Sequence, residues 1–332
     1  MKTINISIPN KEYSVHVKSG ILFDIDQYID INKEIVIITD DYIPKIYLNT
    51  IMSKLQNPLV IEVPTGENSK SITTVSKVIN TMIDNKITRG CLILALGGGV
   101  IGDLTGFIAS IYFRGVDYIH IPTTLLSQID SSIGGKVGIN AENMKNAIGS
   151  FYQPKMVIVD PDTLQTLSQK QKNNGIAELI KYGLIADKSL FAEICDNNVW
   201  EDIEHYIIRS IEIKRDFVVD DEHDNGKRQI LNFGHTIGHA IEQDSKYQLL
   251  HGEAVAIGML AMSKNTSYYE QLVFCLEKYK LMNTYTYNTK EIFKIIQTDK
   301  KAQNKILNII LVKEVGKGFV KTINIENIKE YL

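Results

Sequence analysis

The chain has 332 residues, a formal net charge of −3, 44% hydrophobic and 23% charged residues. That balance excludes wholesale disorder and leaves no basic field for nucleic-acid or membrane binding, and the length suits one large or two ordinary domains. Three isolated cysteines, Cys91, Cys195 and Cys275, form neither a CxxC pair nor a disulfide framework.

The opening MKTINISIPNKEYSV alternates like a strand and lacks the apolar core of a secretion signal. With the cysteines, it sets the expectation of a reducing, cytoplasmic location. NISI, YSVHV, EIVIITD, LVIEV, CLILAL and YIHIP then read as strands, and segments near 69–85 and 103–113 as helices. Such alternation predicts an α/β domain with a largely parallel sheet. The stretch 91–113 is long and apolar, but five glycines around Asp103 make a buried strand, a turn and a buried helix the better reading than a membrane span.

Between that strand and helix, ALGGGVIGD sets Gly97, Gly99 and Gly102 in a GxGxxG pattern. Glycines there let a backbone approach a pyrophosphate at a helix N-terminus. Asp40, ending an earlier strand, suits a ribose hydroxyl. A tight turn or close helix–sheet packing remains the alternative.

Beyond VIVDPDTLQTL the pattern turns helical to about residue 310, and KILNIILVK and GFVKTI read as closing strands. The expected domains are 1–160, α/β and nucleotide-binding, and 161–332, mainly α-helical, binding metal and substrate. A cleft between two such domains is a preferred ligand site.

Charged residues gather on glycine-rich and helical stretches: Asp130 and Lys136 in QIDSSIGGKVGIN, Lys145 and Asn146 in MKNAIGSFYQP, Glu178 and Lys181 in GIAELIKYG, Lys214 in EIKRD. From Arg228 to Asn232 to His235 to His239 the steps are four, three and four, which predicts one polar stripe on a continuous helix. His235 and His239 then share a face, and a short turn (DSKYQ) can return His251 beside them. Neutral imidazole is a common metal ligand, and a catalytic zinc takes three protein ligands and keeps a position open. Thr236 replaces the glutamate of the zincin HExxH signature. On spacing alone, metal ligation and hydrogen-bonded core histidines both stay open.

The motifs GGGVIGD, RGVDYIHIPTTLL, DSSIGGKVGIN, KNAIGSFYQP, AELIKYGLI, NFGHTIGHAIE and HGEAVAIGM run in one order from about residue 35 to 301. In this the chain resembles the 3-dehydroquinate synthase family of sugar phosphate cyclases. The resemblance implies a dehydroquinate synthase-like fold: an α/β N-terminal nucleotide-binding domain, with a mostly parallel sheet, plus a mainly α-helical C-terminal domain. It implies conversion of 3-deoxy-D-arabino-heptulosonate 7-phosphate to 3-dehydroquinate and phosphate, with NAD and Zn2+ or Co2+. The implied metal ligands are Glu178, His235 and His251, with His239 left for catalysis. NAD is implied at Asp40, Glu67, Lys70, Gly98, Gly99, Val100, Ile101, Gly102, Asp103, Thr123, Thr124, Lys136, Lys145, Thr163 and Thr166. Asp130, Lys136, Lys181, Lys214, Arg228 and Asn232 are implied catalytic residues. Arg114, Asn146 and Lys300 are implied substrate contacts, Arg114 reaching a neighbouring subunit of a homodimer. Departures are a shortened, weakly matching stretch after HGEAVAIGM and SQID before the serines. The alternatives are another cyclase, such as a 2-deoxy-scyllo-inosose synthase, a polyol dehydrogenase, which would accumulate NADH, and a silent NAD-binding protein.

Overall fold

Apolar runs become strands in the first half of the structure, a computed structural model that describes residues 1–9, 11–142, 144–281, 285–298 and 305–332. These strands are β1 (Lys2–Ile8), β2 (Lys11–Val17), β3 (Ile35–Asp40), β4 (Leu59–Val63), β5 (Leu92–Gly97) and β6 (Asp117–Pro122). The helices α1 (Lys45–Met52), α2 (Ile72–Asp84) and α3 (Gly99–Ile111) alternate with them. Three further strands, β7 (Lys136–Ala141), β8 (Met144–Phe151) and β9 (Met156–Val159), lie where the sequence reading had named motifs but no strand.

Seven strands form one sheet in the order β1-β2-β9-β6-β5-β3-β4, parallel except for β1 with β2. β3 and β5 are apolar without alternation because both sheet faces are covered. From β3 the chain adds β4 on one side and later β5 on the other. Connections therefore diverge at the carboxyl ends of β3 and β5, the usual ligand crevice of an open parallel sheet. Asp40 ends β3 and Gly97 ends β5, so the topology brings the predicted ribose and phosphate contacts to one edge.

β7 and β8 pair as a separate antiparallel ribbon, with Gly138 opposite Gly149. A Cβ on Gly149 would lie 2.3 Å from the Val137 carbonyl oxygen, so this crossing needs the missing side chain.

The chain divides into two compact units, Met1–Ser168 and Gln169–Leu332. The second comprises α4 (Gln169–Ala186), α5 (Lys188–Asp196), α6 (Ile203–Asp220), α7 (His235–Asp244), α8 (His251–Ser263), α9 (Tyr269–Lys278), α10 (Thr289–Thr298) and the hairpin β10 (Ile306–Glu314) with β11 (Lys317–Asn324). Among the described residues no helix is long and apolar enough to cross a membrane.

One expectation is corrected. Arg228, Asn232, His235 and His239 do not share a continuous helix. Residues Lys227–Asn232 form a 3-10 helix, Gly234 adopts a left-handed φ of 78°, and α7 starts only at His235. Packing explains the break. A Cβ on Gly234 would stand 2.9 Å from the Val255 carbonyl oxygen of α8. On the facing helix, a Cβ on Gly258 would meet the Gly234 carbonyl oxygen at 2.0 Å.

Helix propensity alone makes Gly258→Ala stabilising by about 1 kcal/mol. The contact reverses the sign, and the expected outcome is a loss of about 1–3 kcal/mol in urea unfolding. An unchanged or raised midpoint would contradict this packing.

Candidate active site

The first set of site residues lies in the α/β unit. Gly98 caps α3 with an extended backbone, and the turn is tightly enclosed. A Cβ on Gly98 would meet Thr124 Cγ2 at 3.1 Å, one on Gly99 would meet Ser131 Oγ at 3.0 Å, and one on Gly102 would meet the His120 ring at 2.0 Å. Val100 and Ile101 complete the first turn of α3, and Ile101 is buried. The buried hydroxyl oxygens of Thr123 and Ser131 lack a hydrogen-bond partner among the described residues. A helix N-terminus with close backbone and two such hydroxyls fits the phosphates of a dinucleotide.

Asp40 accepts hydrogen bonds from the amides of Tyr42 (2.9 Å) and Ile43 (3.1 Å). Burial raises its pKa against the pull of those amides. Thr163 and Thr166 cluster around the Tyr47 hydroxyl, which donates to the Thr163 carbonyl at 3.3 Å and contacts Thr166 Oγ1 at 2.9 Å. The departure at SQID is accommodated inside this unit. Gln128 is buried and donates to the Pro122 and Asp160 carbonyls and to Thr163 Oγ1 at 2.9–3.2 Å.

Lys70 is 4% exposed and sits 2.7 Å from Asp103 Oδ2 and 3.7 Å from Glu67, and it donates to Asn146. Burial works to lower its pKa, but the two carboxylates outweigh it, so the ammonium stays charged. The reading of the sequence missed the residue that ties this network together. Asn140 donates from Nδ2 to Glu67 (2.9 Å) and accepts from the Asn146 amide (2.9 Å), and its own amide bonds the Lys70 carbonyl (2.8 Å). The only signal was a second asparagine six positions before Asn146. Lys136, exposed, opens β7, and Lys145 lies on β8. Asp130 lies in the π-helical turn Ser127–Ser131. Arg114 is exposed on the 3-10 turn after α3, with a left-handed φ of 67°.

The second set lies in the helical unit. Glu178, with no solvent exposure, projects from α4 and pairs with Lys181 one turn on. Its Oε1 lies 3.3 Å from His251 Nε2 and 3.5 Å from His235 Nε2. His235 Nδ1 lies 3.0 Å from the Phe233 carbonyl oxygen. A carbonyl only accepts, so Nδ1 carries the proton and Nε2 presents its lone pair towards Glu178. One ligand atom each from Glu178, His235 and His251 lies within 4.8 Å of the others. Two imidazole nitrogens and a carboxylate fit a zinc- or cobalt-type ion with an open coordination position.

Burial, helped by the Lys181 charge, lowers the His235 pKa to about 3, which keeps the ring neutral as a ligand requires. For His251 burial also works downward, but hydrogen bonds and charge from Glu178 and Glu242 outweigh it and raise the pKa to about 9, so an ion bound at Nε2 would displace a proton there. His239 stands beside both, its ring centroid 5.1 Å from His235 and 5.8 Å from His251. Lys214 on α6 and Arg228 on the adjoining 3-10 helix are both buried, and these two elements pack together. Asn232 ends that 3-10 helix. Lys300 lies outside the described residues.

A solved 2-deoxy-scyllo-inosose synthase, complexed with carbaglucose-6-phosphate, NAD+ and Co2+, matches with a TM-score of 0.88 and 26% identity over 99% of this chain and 98% of that one. A 2-epi-5-epi-valiolone synthase from Streptomyces hygroscopicus, with NAD+ and Zn2+ bound, matches with a TM-score of 0.87 and 22% identity over 98% and 97%. The chain thus shares the architecture of these cyclases over almost its whole length.

Within that architecture the chain belongs to the 3-dehydroquinate synthase family. The family models for its N-terminal and C-terminal parts match residues 60–174 and 175–302. The 3-dehydroquinate synthase of Clostridium acetobutylicum is 40% identical over 353 aligned positions, covering 100% of this chain and 99% of that protein. That of Streptococcus suis is 40% identical, covering 99% of each.

His120, under the glycine turn, yields a pH test. Burial lowers its pKa from 6.5 to about 4, so the folded state refuses a proton that the unfolded chain accepts. Its contribution is intact above pH 6.5 and is lost as pH falls towards 4, by on the order of 3 kcal/mol in the limit. The stability difference between wild type and His120→Gln, from urea unfolding at stepped pH, is expected to shift in favour of the variant across that window. A difference that does not change with pH would contradict the buried neutral ring.

Proposed function

We propose that the chain catalyses the reaction of its family, turning 3-deoxy-D-arabino-heptulosonate 7-phosphate into 3-dehydroquinate and phosphate. The observation that carries this reading is the convergence of Glu178, His235 and His251 from three different helices. Support for NAD and for zinc or cobalt comes from this donor set, the enclosed glycine turn, and the NAD+ with Co2+ or Zn2+ bound in the two cyclases of like fold. When bound, NAD supplies a reversible hydride acceptor and the divalent ion a Lewis acid for a substrate hydroxyl.

The chain's own groups do the rest. Glu178 and the Nε2 atoms of His235 and His251 hold the ion. Asp40 takes a ribose hydroxyl, and Gly98, Gly99, Val100, Ile101 and Gly102 admit the dinucleotide phosphates. Asp103, Glu67 and Lys70 fix the turn and the ribbon beside it, while Thr123, Thr124, Thr163 and Thr166 line the cofactor. Lys136, Asn146 and Arg114 take the substrate phosphate, Arg114 from the second subunit of a homodimer, Lys145 lies by the cofactor, and Lys300 adds a contact from the C-terminal segment. Arg228 offers a planar fork to the substrate carboxylate, with Lys214 beside it. Lys181 and Asn232 orient substrate hydroxyls. Asp130 and His239 move protons at the carbon next to the one that loses phosphate and at the ring oxygen. The reaction is redox-neutral overall, so these groups must hold one substrate through oxidation, elimination, re-reduction and aldol closure. A cytoplasmic setting accords with the three unpaired cysteines.

The buried pair Lys214 and Arg228 favours an acidic sugar phosphate over glucose 6-phosphate, the substrate of the alternative cyclase reading. With NAD and Co2+ or Zn2+, the expected outcome is one phosphate released per carbocycle formed, with no net rise in NADH absorbance. Lys136→Ala and His235→Ala are each expected to abolish phosphate release. Accumulating NADH would indicate a polyol dehydrogenase instead, and full turnover in either variant would contradict the residue assignment.

A further inference from the structure

On α7, His235, His239 and Glu242 are spaced by four and three, so all three project from one helix face. Glu242 is 7% exposed, and a buried carboxylate is costly without a partner. Its Oε2 lies 3.4 Å from His251 Nδ1. The other nitrogen of that ring, Nε2, faces Glu178 Oε1 at 3.3 Å. The imidazole is thus held between two carboxylates, one at each nitrogen. His235 repeats the arrangement, with Nδ1 held by the Phe233 carbonyl and Nε2 turned to Glu178. Helix packing keeps the geometry in register: a Cβ on Gly238 would lie 3.1 Å from the Ala254 carbonyl oxygen, so α7 and α8 touch through backbone beside these side chains.

We propose that Glu242 is the positioning residue of the metal centre, accepting the Nδ1 proton of His251 so that the Nε2 lone pair is presented to the ion. The inference rests on the reading of Glu178, His235 and His251 as the ligands. Glu242 acts through His251 rather than on substrate. Its carboxylate fixes the tautomer and the ring orientation and makes the imidazole a stronger donor, as carboxylate partners of metal-bound histidines do. His239, Glu242 and His251 also bring one ligand atom each within 4.8 Å. Two ions flanking His251 would need its ring stripped of both protons, so one ion per chain, with Glu242 as an outer partner, is the economical arrangement.

The test is titration of the full-length protein with Co2+ alone, read by the visible absorption of the bound ion and by a competing chelator. Wild type is expected to bind one Co2+ per chain. Glu242→Ala is expected to weaken binding about 10- to 100-fold and to shift the absorption band. Glu242→Gln is expected to fall between the two, because its amide oxygen still accepts from Nδ1. If the alanine variant does not fold, the glutamine variant decides alone: weakened binding supports the role, and wild-type affinity with an unchanged band overturns it. Two ions in wild type falling to one in Glu242→Ala would make Glu242 a ligand and overturn it as well. Glu178→Gln separates the two readings. Lost binding there with unaltered Glu242 variants sinks only the present inference, whereas unaltered binding in all variants sinks the ligand set too.

Discussion

Glu178 places a carboxylate where no solvent reaches, and the helical unit is organised around that charge. A buried carboxylate needs opposite charge and hydrogen-bond donors close by. Lys181 supplies the charge from the same helix, while His235 and His251 turn Nε2 atoms from α7 and α8 to the same point, where a cation would satisfy carboxylate and lone pairs together. The helices can only approach this closely because glycines line their crossings. Gly234, Gly238 and Gly258 let α7 and α8 touch through backbone, and Gly252, next to His251, would place a Cβ 2.1 Å from the Asn174 carbonyl oxygen of α4. The glycines that flank the histidines in the sequence are thus the packing condition for bringing Glu178, His235 and His251 together from three helices. This also accounts for the 3-10 helix before His235: the chain cannot run straight through a contact that requires a left-handed glycine.

The α/β unit solves a different problem with the same means. A parallel sheet buried on both faces leaves its functional groups to the loops at strand ends, and the order of β4, β3 and β5 makes those loops diverge. The glycine turn is enclosed by Thr124, Ser131 and His120, so the backbone rather than side chains forms its surface. Lys70 then joins the turn to the β7–β8 ribbon through Asp103 and Asn146, and Asn140 braces the same junction. A charged network of this kind holds the turn and the ribbon in place because each member is satisfied by another.

Much of this was legible in the residues. β3 and β5 were readable because sheet burial on both faces demands unbroken apolar runs, and α4 and α8 because their motifs carry whole turns of fixed pattern. His235, His239 and His251 were readable as neighbours because a four-residue step and a short turn leave few other geometries. The β7–β8 ribbon was not, since paired glycines and polar residues give no alternation to detect. The break at Gly234 was hidden for a related reason: the steps from Arg228 to His239 fit a helix, and only the contact with α8 rules that helix out. Asn140 meets Glu67, Asn146 and Lys70, and Glu242 meets His251, through hydrogen bonds alone, and nothing in a lone polar side chain distinguishes that from a solvated surface.

The most direct measurement is anomalous diffraction from crystals of the protein grown with NAD and Co2+ or Zn2+. The account predicts one ion, with Glu178 oxygen and the Nε2 atoms of His235 and His251 at about 2.0–2.2 Å. An ion held by His239 and Glu242 instead, or density at these three residues that contains no metal, would contradict it.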